Sequence, residues 1–426
     1  MTVLALIGGF LILLIIGVPV AIALAGASLL YVMVEGTQPH LVVLHRMVGG
    51  IDSFPLLAIP FFIMAGSLMN SSGITNRIYD FALALVGWLK GGLGHVNIVG
   101  SVIFAGMSGT AVADAGGLGN IEIRAMRDHG YSVDFAVGIT GASSTIGPII
   151  PPSLPMIIYG VMANASIGKL FAAGLIPGLV MAGTMMVMVT YYAHTRGWHR
   201  DARFSLTALW QTFRRAFLPL LTPVILVGGM TTGVFTPTEA AIAATAYAIV
   251  LGMGVYRTLS LRKFIQVSLE TAETTAIILL IVAGASIFGY LITLTKITDK
   301  VADLVLSITT QWWAVLLLVN IFLLVVGCFM ETIASITILV PVLLPLVEKV
   351  GVDPVHFGLI MVLNLMIGLL TPPVGMVLYI LARVAGISFE RTTKACLPFL
   401  IPLLISLALV TYWPSMVLYL PDLFFK

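Results

Sequence analysis

Apolar residues run along this chain in blocks of about 20 positions, the length that crosses a bilayer as a helix. Polar residues collect in the short connections between them. The blocks fall near 2–33, 54–71, 78–100, 133–163, 170–194, 217–233, 238–256, 273–294, 303–327, 355–384 and 394–420. Two more apolar stretches, near 95–128 and 313–348, are interrupted midway by small and polar residues. That pattern predicts hairpins that enter the membrane and turn back.

Two of the long blocks break themselves. "GPIIPPS" (147–153) places a glycine, a proline and a double proline inside an apolar run, which no continuous helix accepts. "TIGPIIPPS" (145–153) recurs as "MIGLLTPPVG" (366–375), with Gly147 matching Gly368, Pro151 matching Pro372 and Pro152 matching Pro373, each 221 positions apart (368 − 147). The same offset carries Gly106 onto Gly327, Thr110 onto Glu331, Ala113 onto Ala334 and Asp114 onto Ser335. A hairpin followed by a broken helix, twice in one register, predicts an internal repeat of the kind that builds transporter folds. The first repeat takes 1–200, a polar linker or amphipathic arm takes 201–216, and the second repeat takes 217–426. Within 195–215 the part 205–215 reads as a surface-lying amphipathic stretch or as a solvated loop. Its arginines place it on the cytoplasmic side.

The breaks carry chemistry. Each proline removes an amide donor and frees the carbonyl four residues earlier, so Pro148, Pro151 and Pro152 free Ser144, Gly147 and Pro148. Pro372 and Pro373 likewise free Gly368 and Leu369. Bare carbonyls cost several kcal/mol each in hydrocarbon, about 2–7 kcal/mol by transfer scales, unless they line a cavity or hold a cation. The carbonyls of 143–150 and 364–371, with the hydroxyls of Ser143, Ser144, Thr145 and Thr371, suit a hard cation such as sodium. On the far side of each break Pro152 and Pro373 suit the first position of a half-helix, whose free amides attract an anion. Cation ligands on one side and an anion site on the other are the parts of a sodium-coupled carrier of an anionic solute.

The hairpin tips add to this. "AGMSGTAVADAGGLGN" (105–120) is rich in glycine and holds Ser108, Gly109, Thr110 and Asp114, which would face the first break. Cys328, Glu331, Thr332 and Ser335 would face the second. An intramembrane carboxylate is a functional candidate; a hydrogen bond tethering the tip is the alternative for Asp114 and Glu331. The solute is assigned to Thr110, Asp114, Pro152, Ser153, Thr332, Ser335 and Pro373, on the tips and half-helix starts.

Composition agrees: 59% of the 426 residues are hydrophobic, 9% are charged, and the mean hydropathy is +1.11. A soluble domain carries about 25% charged residues, so the chain is read as an all-α polytopic protein surrounded by lipid. The net charge of +3 is too small to indicate nucleic-acid binding. The first block has no basic n-region and outruns a signal h-region of about 7–15 residues, so it reads as a retained helix. Cys328 and Cys396 have no metal-site spacing. Glu239 reads as a helix cap, Arg383 as a snorkelling side chain, and His45, His95, His129, His194, His199 and His356 as loop or interfacial residues.

With these motifs in hand, the sequence resembles the large membrane subunit of a TRAP transporter, the tripartite ATP-independent periplasmic type. The resemblance rests on "GMSGTAVADAGGLG" (106–119), "GITGASSTIGPIIPPS" (138–153), "FTPTEAA" (235–241), "METIASITILVPVLLP" (330–345) and "NLMIGLLTPPVG" (364–375). It implies an ion-transporter-superfamily fold with inverted repeats in the bacterial inner membrane, driven as an elevator by a sodium gradient. It implies two partners, a small four-helix membrane subunit and a periplasmic solute-binding protein, with organic anions such as dicarboxylates, keto acids or sialic acids as solutes. Because the chain begins directly in an apolar helix, the small subunit is expected as a separate chain. One implied sodium site uses Ser108, Gly109, Ser144, Gly147 and Ile150; the other uses Gly327, Glu331, Gly368 and Thr371.

Two other functions fit parts of the pattern. A dicarboxylate carrier that works without a binding protein would share the repeated hairpins. An intramembrane serine protease would use Ser108 of "GMSG" as its nucleophile, but needs a histidine base within hydrogen-bond reach. No Walker-A loop is present, which excludes a nucleotide-driven pump built on that motif.

Overall fold

The computed structural model describes residues 2–36, 38–198 and 200–425. His199 lies outside the described residues. The described residues form helices and no strand apart from one isolated bridge between Lys90 and Arg200. Among the described residues, eight helices are long and apolar enough to cross a membrane.

The chain begins with α1 (Thr2–Ile15), α2 (Val20–Glu35) and α3 (Leu41–Ile51), followed by α4 (Ala58–Ser71) and α5 (Ile74–Val86). The block 2–33 is therefore two helices, parted where Gly17 takes φ +92° and Pro19 lacks a donor. A first hairpin follows: α6 (Gly92–Ser108) descends, and α7 (Ala111–Gly116) and α8 (Leu118–Asp128) return. Its break partner is α9 (Val133–Ser144) and α10 (Leu154–Met162). The chain continues through α11 (Ile167–Thr195), α12 (Leu206–Thr231), α13 (Pro237–Ile249), α14 (Leu261–Leu294) and α15 (Ile297–Ile308). The second hairpin is α16 (Trp312–Phe329) with α17 (Thr332–Lys349), and the second break lies between α18 (Pro354–Gly368) and α19 (Met376–Ala385). The chain closes with α20 (Phe389–Cys396), α21 (Leu400–Tyr412) and α22 (Pro414–Phe424).

Three sequence expectations change here. The stretch 205–215 is not a separate surface arm but the start of α12, which runs unbroken to Thr231. Ser205 caps it by accepting from the Ala208 amide, and no glycine or proline interrupts 206–218. The block 303–327 is split at Thr309, whose backbone is extended. His95 and His356 are buried rather than interfacial, and His356 Nε2 lies 2.8 Å from the Val410 carbonyl.

Local chemistry sets the helix starts. Thr110, Ser132, Ser153, Ser166 and Asp353 each accept from an amide in the first turn that follows. Thr236 and Glu239 form a reciprocal capping box, so Glu239 is a cap as expected.

Packing divides the helices. α14 lies along α2 and α3, and α4 lies along α13. The two hairpin-and-break units interlock crosswise: α10, from the first break, packs on α17 of the second hairpin, and α19, from the second break, packs on α7 of the first.

The connection after α11 is tied to the base of the first hairpin. Asp201 accepts from the Leu93 amide at 2.9 Å and from the Tyr131 hydroxyl at 2.5 Å. Burial, together with the bond to Asp201, pushes the Tyr131 hydroxyl pKa up, so it stays the donor. Tyr131 also packs on Trp198 and Phe135. Replacing Asp201 with alanine leaves both donors without this acceptor. The expected cost is about 1–3 kcal/mol, read as a lower melting temperature, and Asp201→Asn should recover part of it.

Candidate functional site

Each hairpin tip is bonded to its own break. Gly109 takes φ +64°, which ends α6 and lets the chain reverse. Its carbonyl accepts from the Leu154 amide at 3.4 Å. In the second unit the Cys328 carbonyl accepts from the Val374 amide at 3.1 Å. Thus an amide just beyond each double proline docks on a tip carbonyl. Both double prolines, Pro151–Pro152 and Pro372–Pro373, carry cis bonds.

The first break presents oxygen. The hydroxyls of Ser144 and Thr145 donate to the carbonyls of Gly141 and Ala142 at 2.8 and 2.6 Å, which leaves their lone pairs free. A Cβ on Gly147 would stand 3.3 Å from the Ser144 oxygen and 3.4 Å from the Thr110 oxygen. Carbonyls from break and tip therefore converge at a residue with no side chain. The freed carbonyls are mostly re-engaged, contrary to the expectation of a bare row. The Ser144 oxygen accepts from the Gly147 amide, and the Pro148 oxygen from the Ser153 hydroxyl. Gly147 itself receives no hydrogen bond among the described residues.

In the second unit α16 and α18 meet backbone to backbone, with a Cβ on Gly368 placed 2.6 Å from the Gly327 oxygen. Thr371 Oγ1 donates to the Gly368 carbonyl at 2.9 Å and lies 3.2 Å from Cys328 Sγ. The Leu369 carbonyl accepts from Val377. Glu331 Oε2 accepts from the amides of Ile333 and Ala334 at 2.8 and 3.1 Å, so the carboxylate caps α17. The tethering role and a cation role are compatible, because Oε1 is free of those bonds.

The two units share one cavity of about 60 Å³, lined by Thr110, Pro148, Leu154, Pro155, Glu331, Thr332, Met366, Leu369 and Met376. It holds residues from both tips and both breaks. Of the residues assigned to the solute, Thr110 and Thr332 line it, and Thr332 Oγ1 has no hydrogen-bond partner among the described residues. Ser153 is buried as the cap of α10, and Ser335 is buried with its hydroxyl on the Glu331 carbonyl. Asp114 is buried behind the tip, accepting from Ser101 at 3.3 Å. Pro152 is buried, whereas Pro373 is exposed. Neither proline opens a half-helix: α10 starts at Leu154 with Ser153 as cap, and α19 at Met376 after Gly375 in the left-handed region. The Ser153 hydroxyl and the freedom of Gly375 move each start two or three residues onward. For the sodium set, the Thr110 carbonyl, next to Gly109, comes to Ser144 and Gly147 at the first break; Ser108 is buried at the tip with its backbone against Gly66, and the Ile150 side chain packs on Gly178. Gly327, Gly368 and Thr371 come together at the second, with Glu331 at the same tip.

Sequence reasoning missed a buried polar chain behind each break. Asn97 Nδ2 donates to Glu122 Oε2 at 2.6 Å and to Thr140 Oγ1 at 2.8 Å, and Ser143 Oγ donates to Asn97 Oδ1 at 2.6 Å. Across the repeat, Asn364 Nδ2 donates to Asn320 Oδ1 at 2.8 Å, and Asn320 Nδ2 to Thr411 Oγ1 at 3.1 Å. Ser143 and Asn364 are 221 positions apart (364 − 143), so the offset already paired them. Glu122 was also findable: it falls four residues from Leu118 and from Met126 on the buried stripe of α8.

Ser108 has no partner for its hydroxyl among the described residues. His95, on the same helix, lies thirteen residues away, about 20 Å along the axis at 1.5 Å per residue. A protease dyad between them is therefore not built.

The chain matches the family described as tripartite ATP-independent periplasmic transporter, DctM component, over residues 7–416. It is 48% identical over 416 residues to the sialic acid TRAP transporter large permease protein SiaM of Vibrio cholerae, covering 98% of this chain and 97% of that protein. It is 43% identical to the sialic acid TRAP transporter permease protein SiaT of Haemophilus influenzae, covering 97% of this chain and 67% of that one. The fold is that of the solved YdaH transporter of Alcanivorax borkumensis, with a TM-score of 0.61 over 87% of each chain at 15% identity. These relatives are transporter permeases and not enzymes, and this chain, a multi-pass inner-membrane protein, belongs to the DctM family of TRAP transporter large permease components.

Proposed function

We propose that the chain is the membrane-embedded carrier of a sodium-coupled secondary transporter that imports an organic anion. It works with a small four-helix membrane subunit and receives its solute from a periplasmic binding protein. The observation that carries this reading is the meeting of both tips and both breaks around one cavity, with carbonyl and hydroxyl oxygens behind each tip. A hard cation takes several oxygen ligands, and those oxygens flank the cavity on both sides. Sodium bound there would fix each tip against its break and so shape the solute site between them.

The solute class is a carboxylate-bearing molecule, and sialic acid is the first to assay because SiaM and SiaT carry it in their names. At about 60 Å³ the cavity is far below the roughly 300–1,000 Å³ of small-molecule pockets. The tips must part to admit a solute, and the crosswise packing of α10 on α17 and α19 on α7 supports reading the two units as one body that carries the site across the membrane as an elevator.

The test is uptake of labelled sialic acid by proteoliposomes holding the chain and its small subunit, with the binding protein outside. Uptake should require both an inward sodium gradient and the binding protein. Equal uptake with potassium in place of sodium would remove the coupling, and uptake without the binding protein would favour the self-sufficient carrier.

A further inference from the structure

We propose that the first hairpin carries a proton-binding site at Glu122, separate from the two tips. Glu122 is 1% exposed on α8, at the heart of the unit formed by α6, α8 and α9. Its Oε2 accepts from Asn97, but Oε1 has no hydrogen-bond partner among the described residues. Asp114, also 1% exposed, is in the same condition: Oδ1 accepts from Ser101 and Oδ2 has no partner.

No cation balances this pair. Among the described residues neither acid has a Lys, Arg or His within salt-bridge distance. The titratable groups that act on Glu122 or feel it are Asp114, from α7, and Tyr79, from α5. α6 offers Asn97, and α9 offers Thr140, both neutral. Arg383 on α19 and Arg124 and Arg127 on α8 are exposed. A buried carboxylate without a counter-charge is far costlier than the neutral acid. A proton taken from water onto Oε1 changes the site from −1 to neutral and leaves Oε2 as the acceptor of the Asn97 amide.

The proton reaches the break through one side chain. Asn97 holds Ser143 by its oxygen while it holds Glu122 by its nitrogen. Removing the proton turns a neutral acceptor into an ionic one and tightens that end of the Asn97 contact. Ser143 precedes Ser144, whose carbonyl and hydroxyl stand at the first break. The state of Glu122 is thereby felt where the hairpin tip docks.

Infrared difference spectroscopy tests this on the full-length protein in nanodiscs, titrated from neutral to alkaline pH in H2O and in D2O. The expected result is a carbonyl-stretch band of a protonated carboxylic acid at neutral pH, downshifted in D2O. The band should bleach at alkaline pH, vanish in Glu122→Gln and survive in Asp114→Asn. Absence of the band, or its loss in Asp114→Asn with retention in Glu122→Gln, overturns the assignment. If Glu122→Gln fails to fold, loss of the band in Asp114→Asn overturns the assignment on its own, and Glu122→Asp should shift the band, where an unshifted band also overturns it. Uptake across the same pH range keeps this site apart from the sodium reading. In Glu122→Gln the pH dependence should flatten while sodium dependence persists, whereas sodium-independent uptake by the unaltered chain would sink the sodium reading alone.

Discussion

Gly368→Ala is expected to destabilise the protein by about 2–3 kcal/mol, the upper part of the range for overpacking a close contact, and to abolish uptake. A Cβ there would stand 2.6 Å from the Gly327 oxygen and 2.7 Å from its carbonyl carbon and Cα. All three are backbone atoms, so no side chain can swing aside. α16 must retreat from α18, and the bond from the Val374 amide to the Cys328 carbonyl is one residue from the collision. The reciprocal change gives the contrast. A Cβ on Gly327 would meet Gly368 Cα at 3.2 Å and a Leu365 methyl at 3.5 Å, a much milder crowding. Melting temperatures of the two variants should differ clearly, with Gly368→Ala the lower. Equal effects would contradict the close approach as described.

The second large effect belongs to Glu331. Alanine removes the acceptor of two amides at the start of α17, those of the buried residues Ile333 and Ala334. Loss of a cap costs about 0.5–2 kcal/mol, and each orphaned buried donor about 1–3 kcal/mol. Glu331→Ala should therefore lose at least about 2 kcal/mol and any coupling at the second tip. Glutamine separates the two roles. Its side-chain oxygen still accepts from Ile333 and Ala334, so the cap persists, while the charge that favours a cation is gone. Glu331→Gln should melt close to the unaltered protein in potassium and lose the extra stability that sodium confers. Retained sodium stabilisation in Glu331→Gln would place the second cation site elsewhere.

Much of this fold is legible in the sequence because its defining events are backbone events. Double prolines and tip glycines write a broken helix and a reversal directly into the residue types, and the offset of 221 positions (368 − 147) repeats them. Helix starts at Ser132, Ser153 and Asp353 follow from side chains that can accept an amide. What hydropathy alone concealed was the breaks without a strong signal, such as Thr309 between α15 and α16. The join of 205–215 to α12 was hidden for the opposite reason: a polar surface on a continuous helix reads like a linker.

The site divides in the same way. Tip and break residues were legible because glycine, serine and threonine are conspicuous in apolar surroundings. Glu122 was legible only through the stripe of Leu118, Glu122 and Met126, because "NIEIRAMRD" (120–128) otherwise reads as an ordinary charged helix. Pairings such as Asn97 with Ser143 depend on how α6 meets α9, which no local pattern states.

The central claim, two sodium sites at the tips, is tested most directly by the melting temperature of the purified protein in nanodiscs. Sodium would be titrated against potassium and choline at constant ionic strength, for the unaltered chain and for Thr371→Val. A ligand bound only by the folded state adds RT ln(1 + [L]/Kd) to stability. The account predicts a rise specific to sodium that grows with its concentration and is reduced in Thr371→Val, which keeps the shape of the residue and removes its oxygen. Identical melting temperatures in the three salts across the whole titration would contradict it.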